Sequence, residues 1–353
     1  MTASESPAVH WPSAERLAAF QRWAARCGPA LGLQWSTLAP ASADASFRRY
    51  LRVQGAEGRS YIVMDAPPPQ EDVRPFVHVA GLIGAAGLHG PQVLDADEAQ
   101  GFLLLSDLGT ELYLDALRDE TRADALMRDA LQALLQWQQR VPGDVLPPCD
   151  EALLRRELAL FPDWCVQREF GIAWSDVQQR SWQQLCDRLV ASALAQPRVA
   201  VHRDWMPRNL MVCAPRNPGI LDFQDAVHGP LTYDLASLLR DAFISWDEPR
   251  ELDWAVRWWQ QARDAGLPLG DAFAADFGEF WRALEWMGLQ RHLKVLGIFC
   301  RLKHRDGKPR YAQDLPRFFA YATRVALRYA PLKPLLGLLE PMSGQSLRDG
   351  YTF

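Results

Sequence analysis

Residues 202–225 constrain the chain more than any other stretch. They read His202-Arg203-Asp204-Trp205-Met206-Pro207-Arg208-Asn209, a short apolar run with a turn, then Ile220-Leu221-Asp222-Phe223-Gln224-Asp225. The order is H-x-D-x-x-x-x-N followed by an apolar pair and D-F. Leu210-Met211-Val212 and Gly219-Ile220-Leu221 read as short strands about the turn Ala214-Pro215-Arg216-Asn217-Pro218, a hairpin that returns Asp222 beside Asn209. Phosphoryl transfer needs such a set. It takes a carboxylate to orient an attacking hydroxyl and accept its proton, and oxygen ligands for Mg²⁺ ions that bridge the phosphates. Asp204 is the candidate base, and Asn209 and Asp222 are the candidate metal ligands. A surface turn with polar caps would account for H-R-D alone, but not for metal-type ligands recurring after a hairpin. His202 and Arg203 are read as loop support.

A chain of 353 residues can bury a large core, and two lobes are expected. A net charge of −5 argues against a general nucleic-acid binder. The stretch from Met1 to Pro7 lacks the basic and apolar regions of a signal peptide, and no apolar run approaches membrane-spanning length. The six cysteines form no C-x-x-C pair and read as reduced, packed thiols of a cytoplasmic protein. A monomer that binds neither nucleic acid nor membrane is expected.

Leu17, Phe20, Trp23 and Ala24 recur at helical spacing after a Ser13 cap and predict a lead-in helix over 11–27. Residues 39–46, including Asp44 and Ser46, are small-residue loop sequence that would let backbone N–H groups approach phosphates; an ordinary connection is the alternative. Strands are predicted at Phe47–Val53, Ser60–Asp65, Pro91–Asp95 and Phe102–Ser106, and a helix at 73–86. The chain then crosses lobes at Ser106-Asp107-Leu108-Gly109, either a place for a nucleotide base to meet backbone or a plain loop. Helices are expected over 111–118, 121–140, 150–161 and 176–195, and Val199–Val201 is a strand that delivers His202. Gly229-Pro230 turns the chain, Thr232 caps a helix over 233–243, and Asp234 in its first turn braces the catalytic loop by accepting backbone N–H bonds. Helices over 248–265, 270–304 and 311–329 precede a tail punctuated by Pro and Gly. The lobes would be residues 1–107 and 108–353.

The segments 202–225 and 229–236 resemble the aminoglycoside phosphotransferase superfamily. The resemblance implies an α+β, bilobal, protein-kinase-like fold: a small lobe with an antiparallel sheet and one helix, and a larger, mainly helical lobe. It implies ATP and Mg²⁺ as cofactors. More narrowly, Asp44–Tyr50, Met64–Pro68 and Gln290–Phe299 are similar to the bacterial anomeric kinases of N-acetylmuramate and N-acetylglucosamine, which phosphorylate the C1 hydroxyl in peptidoglycan recycling. A small amino-sugar substrate is implied.

The chain departs from that pattern in one respect. Kinases of this fold pair a strand lysine with a helix glutamate at the phosphates. Here the first lysine of the whole chain is Lys294, the matching strand reads Tyr61-Ile62-Val63-Met64, and the helix 73–86 has no Asp or Glu. A phosphate clamp would have to be arginine. Alternation puts Arg48 and Arg49 on opposite strand faces, and Arg49 is taken as the clamp, with an arginine beside the sheet as the other reading.

For the acceptor, Trp286, Gln290, Lys294, Gly297 and Arg301 form one narrow stripe on the helix 270–304. Trp286 would stack on a sugar face and Lys294 and Arg301 would meet a carboxylate; a solvated face is the bland alternative. Glu157 and Asp225 are further candidates for sugar hydroxyls, Glu157 being also readable as an exposed helix charge. The basic stretch 291–310 suits a neutral or anionic acceptor better than a polycation. Two other readings stay open: a kinase of an aminoglycoside, choline or homoserine, and a nucleotide-binding pseudokinase scaffold.

Overall fold

The structure, a computed structural model, describes residues 9–43 and 47–343. In chain order it holds α1 (Ala14–Leu31), β1 (Gln34–Ala43), β2 (Arg49–Gln54), β3 (Ser60–Asp65), α2 (Arg74–Ala85), β4 (Val93–Asp97), β5 (Phe102–Ser106) and α3 (Tyr113–Ala116). There follow α4 (Glu120–Arg140), α5 (Glu151–Leu160), α6 (Asp176–Leu194), β6 (Arg198–Val201), β7 (Leu210–Met211), β8 (Gly219–Ile220), β9 (Val227–Pro230) and α7 (Tyr233–Leu239). The described residues close with α8 (Glu248–Asp264), α9 (Gly270–Ala275), α10 (Phe277–His304), α11 (Leu315–Arg328) and α12 (Pro334–Ser343). Two compact units result. One is Met1–Ala116 with Asn209–Asp225; the other is Leu117–Arg208 with Ala226–Phe353. Where the sequence places a boundary at residue 107, the first unit runs to Ala116 and also takes in the 209–225 hairpin.

The first unit is built on an antiparallel sheet in the order β1-β2-β3-β5-β4. Alternation sends Leu51, Val53, Tyr61, Val63, Phe102 and Leu104 to one face, where Phe20, Trp23, Ala24 and Cys27 of α1 close the core. Ser13 caps α1 by accepting from Arg16 N–H at 3.2 Å. Trp23 stacks on Phe102 with centroids 5.3 Å apart. Asp65, at the end of β3, is fully buried and pairs with Arg16 of α1 and Arg49 of β2.

β1 extends through Ala39–Ala43, where the sequence predicts loop. Its Pro40 and run of small residues read as irregular, but β1 is the edge strand, where a missing N–H costs no ladder bond. Pro40 sits opposite Leu51 beside a register shift. The β7–β8 hairpin is fixed to the same unit: Ile220 N–H donates to the His89 carbonyl at 2.8 Å, and Phe223 packs on Phe76 of α2 with centroids 4.6 Å apart.

The second unit is mainly helical, with β6 and β9 as a small antiparallel pair. β9 corrects the reading of Gly229-Pro230 as a turn: Gly229 sits opposite Val199 and Pro230 opposite Arg198, at the strand end. Thr232 stands at the N-cap of α7, but its side chain makes no cap bond; its hydroxyl donates to Gln196 Oε1 at 2.8 Å instead. The predicted helix over 270–304 is broken at Asp276, which caps α10 by accepting from Gly278 N–H at 2.7 Å. α5 runs on into a π-helical segment, Phe161–Glu169, and the tail carries α12; neither shows in the sequence pattern. Among the described residues no helix is long and apolar enough to cross a membrane.

Candidate active site

In the second unit, β6 ends at Val201 and hands the chain to a loop held from outside. Asp234 accepts the backbone N–H of His202 at 2.6 Å and that of Arg203 at 2.9 Å. Arg203 has φ 77°, a left-handed conformation that a bulky residue adopts only where its surroundings impose it. His202 is fully buried, edge-on to Trp205 with centroids 5.4 Å apart. Pinned this way, the loop presents Asp204, whose side chain is 33% exposed.

Cations surround that carboxylate. Arg203 Nη2 lies 2.6 Å from Glu157 Oε1, and Lys294 Nζ lies 2.8 Å from the same oxygen and 3.0 Å from the Tyr233 hydroxyl. Arg291 Nη2 is 3.6 Å from Asp204 Oδ1. Burial opposes ionisation of Asp204, but Lys294, Arg291, Arg203 and His202 outweigh it and hold the carboxyl below its ordinary range. Glu157 is likewise held low against its burial by Lys294 and Arg203. Asp234 goes the other way: burial pushes its carboxyl up to about 7 despite the two N–H bonds it accepts.

The first unit carries the other candidate group. Asn209 Nδ2 donates to Asp222 Oδ2 at 3.3 Å, Leu221 N–H donates to the Asn209 carbonyl at 2.9 Å, and Gln224 Nε2 donates to Asp222 Oδ1 at 2.9 Å. Asp222 has φ 60°, again left-handed. Among the described residues no three His, Cys, Asp or Glu side chains group as a metal cage. One carboxylate beside one amide oxygen is a hard, sparse donor set. It fits Mg²⁺, which keeps waters and phosphate oxygens as its remaining ligands.

Asp44 and Ser46 lie outside the described residues. Arg49 turns to the α1 face, where it pairs with Asp65, donates to the His10 carbonyl at 2.5 Å and lies over Trp11. Arg49 thus takes the place that the other reading assigns it, an arginine beside the sheet, while Arg48 leaves the α1 face and its Nε lies 2.9 Å from Glu71. Asp107 binds Arg52 through both oxygens, at 2.6 and 2.9 Å, and accepts from Ser60 and from Gly109 N–H. Ser106 Oγ accepts from Gln92 N–H at 2.8 Å, and the Leu108 carbonyl accepts from the Cys213 thiol at 3.2 Å.

The stripe on α10 is neither solvated nor one site. Lys294 is buried with Glu157, which is not an exposed helix charge. Trp286 meets Tyr329 rather than an open face, and Gln290 is buried with no amide partner among the described residues. A Cβ on Gly297 would stand 2.3 Å from the Leu160 carbonyl oxygen, so its close approach is to protein backbone. Arg301 is partly buried, and Asp225 is exposed. Sequence reasoning missed Arg291 and Tyr233; the i, i+3 pairing of Arg291 with Lys294 was the available signal.

A carboxylate on a braced loop, flanked by cations, is the group a phosphotransferase needs to take the proton of its acceptor hydroxyl. A choline kinase from Streptococcus pneumoniae covers 86% of this chain and all of its own, with TM-score 0.59 at 10% identity. An ADP-bound aminoglycoside phosphotransferase covers 87% of this chain and 96% of its own, with TM-score 0.53 at 14% identity. The chain belongs to the APH family, described as the phosphotransferase enzyme family, whose sequence model matches residues 37–287. It is 56% identical over 302 residues to an N-acetylmuramate/N-acetylglucosamine kinase of Pseudomonas aeruginosa, covering 86% of this chain and 87% of that one.

Proposed function

We propose that the protein transfers the γ-phosphoryl group of ATP to the anomeric C1 hydroxyl of N-acetylmuramate and N-acetylglucosamine. The observation that carries this reading is Asp204: partly exposed, flanked by cations that hold its carboxyl low, and carried on a loop whose backbone Asp234 holds. Its carboxylate takes the acceptor proton as the hydroxyl oxygen forms its bond to phosphorus, the bond to the bridging oxygen breaks, and ADP leaves. Asn209 and Asp222 would hold Mg²⁺, which when bound offsets charge on the phosphates. Arg48, steadied by Glu71 on the sheet face away from α1, is the arginine assigned to phosphate in a lobe without lysine.

The acceptor assignment rests on the relative named above and on local charge. Glu157, the carboxylate beside the loop, is fully engaged by Arg203 and Lys294, which leaves little to attract a choline or an aminoglycoside. The fold neighbours that act on such cations share the fold alone. A cytoplasmic, monomeric enzyme of peptidoglycan recycling, feeding UDP-sugar synthesis, follows from this reading.

The test is ADP release from ATP and Mg²⁺ across a panel of sugars, aminoglycosides and choline, with the product's phosphate located by NMR. Turnover confined to the two amino sugars, with phosphate on C1, is expected. Turnover with choline or an aminoglycoside instead, or with no acceptor at all, defeats the reading.

A further inference from the structure

Arg291 projects from α10 and is 2% exposed. Its guanidinium nitrogens are in three different situations. Nε donates to Ser237 Oγ of α7 at 2.5 Å. Nη2 stands 3.6 Å from Asp204 Oδ1, within ion-pair range but beyond a hydrogen bond, and 4.0 Å from Met206 Sδ. Nη1 is buried with no hydrogen-bond partner among the described residues. A buried guanidinium is ordinarily held by a carboxylate in a two-pronged grip. Here the firm contact is a neutral hydroxyl, and the carboxylate it faces is the candidate base, just out of reach.

Other charged or titratable groups lie near Asp204 on the elements packed there, and Asp241 and His292 lie near Arg291. On its own loop are His202 and Arg203, on α10 Lys294, on α5 Glu157, and on α7 Tyr233 and Asp234. Arg203 and Lys294 both contact Glu157 directly. Arg291 makes its ion-pair contact with Asp204 itself. A purely structural Arg291, packing Ser237, would affect stability and nothing else.

We propose that Arg291 is a positioning and charge-selecting residue: it orients Asp204 on the acceptor hydroxyl and sets a positive field there that favours a carboxylate-bearing sugar. The inference rests on the amino-sugar kinase reading above. Its chemistry separates two acceptors that share an N-acetyl hexose. N-acetylmuramate carries a carboxylate and N-acetylglucosamine does not, so the field acts on the first and barely on the second.

Steady-state kinetics on both sugars with Arg291→Gln and Arg291→Lys, each checked by thermal melting, tests it. In Arg291→Gln, KM for N-acetylmuramate should rise about tenfold while KM for N-acetylglucosamine changes less than about threefold. Its kcat should fall about tenfold or more for both. Arg291→Lys restores the charge but not the fork, so the ratio of the two KM values should return to wild type while kcat stays low. An unchanged KM ratio in a folded Arg291→Gln overturns the proposal. If that variant does not fold, a wild-type kcat or a shifted KM ratio in Arg291→Lys overturns it equally. Wild-type protein inactive on both sugars would instead sink the kinase reading, which keeps the two failures apart.

Discussion

Asp234 Oδ2 accepts the backbone N–H of His202 at 2.6 Å, so the first residue of the catalytic loop is held by the first turn of α7. Asp234→Ala should leave the loop unpinned. On the order of a hundredfold loss in kcat is expected, with a smaller change in KM for either substrate. An unaltered kcat would mean that the loop holds its shape without Asp234.

The same carboxyl makes stability depend on pH. Its native value of about 7 lies above the ordinary 3.8, so the folded state binds this proton more tightly than the unfolded chain. The associated stability is complete below about pH 4 and declines as pH rises through about 7. Urea midpoints should show that decline in wild type and lack it in Asp234→Asn; parallel profiles would refute the assignment.

Asp204→Asn keeps shape and removes the base. Turnover should fall about 10²- to 10⁴-fold while ADP binding, followed by calorimetry, is retained. Because neighbouring cations hold Asp204 ionised, no acid limb from it should appear in kcat/KM above the ordinary carboxylate range. A limb near pH 6 that disappears in the variant would contradict this.

Lys294→Met removes one of two cations from buried Glu157, and should destabilise by about 3 kcal/mol. Adding Glu157→Gln to it should recover part of the loss, since the uncompensated charge goes too. Chemical denaturation of the two single variants and the double gives the answer; strict additivity would mean that the pair is not coupled.

The two adjacent arginines should separate. Arg49→Ala loses the Asp65 contact and should lower the melting temperature with nucleotide KM unchanged. Arg48→Ala should raise nucleotide KM about tenfold or more. The reverse pattern would return the phosphate role to Arg49.

Much of the architecture was legible because the elements that carry it are strongly patterned. Ser60–Asp65 and Phe102–Ser106 are predicted with the bounds they have, and α2, α4, α5 and α6 shift by at most a couple of residues. β1 and β9 were hidden because their pairing partners, not their own Pro- and Gly-containing residues, make them strands. In the site, spacing alone singled out Asp204, Asn209 and Asp222. Alternation correctly separated Arg48 from Arg49, but it is blind to which sheet face α1 will cover. The stripe on α10 failed for a related reason. Helical spacing says which side chains share a face, and only the fold says that Glu157 waits opposite Lys294 while Tyr329 waits opposite Trp286.

Gly297 packs directly against the Leu160 carbonyl, one helical turn beyond Lys294 on α10 and three residues beyond Glu157 on the chain. The grip of Lys294 on Glu157 therefore depends on the absence of a side chain next door. A single added carbon at 297 would act as a wedge, prising the two helices apart where their charges meet, so the tuning of Asp204 rests partly on a residue that has no side chain at all.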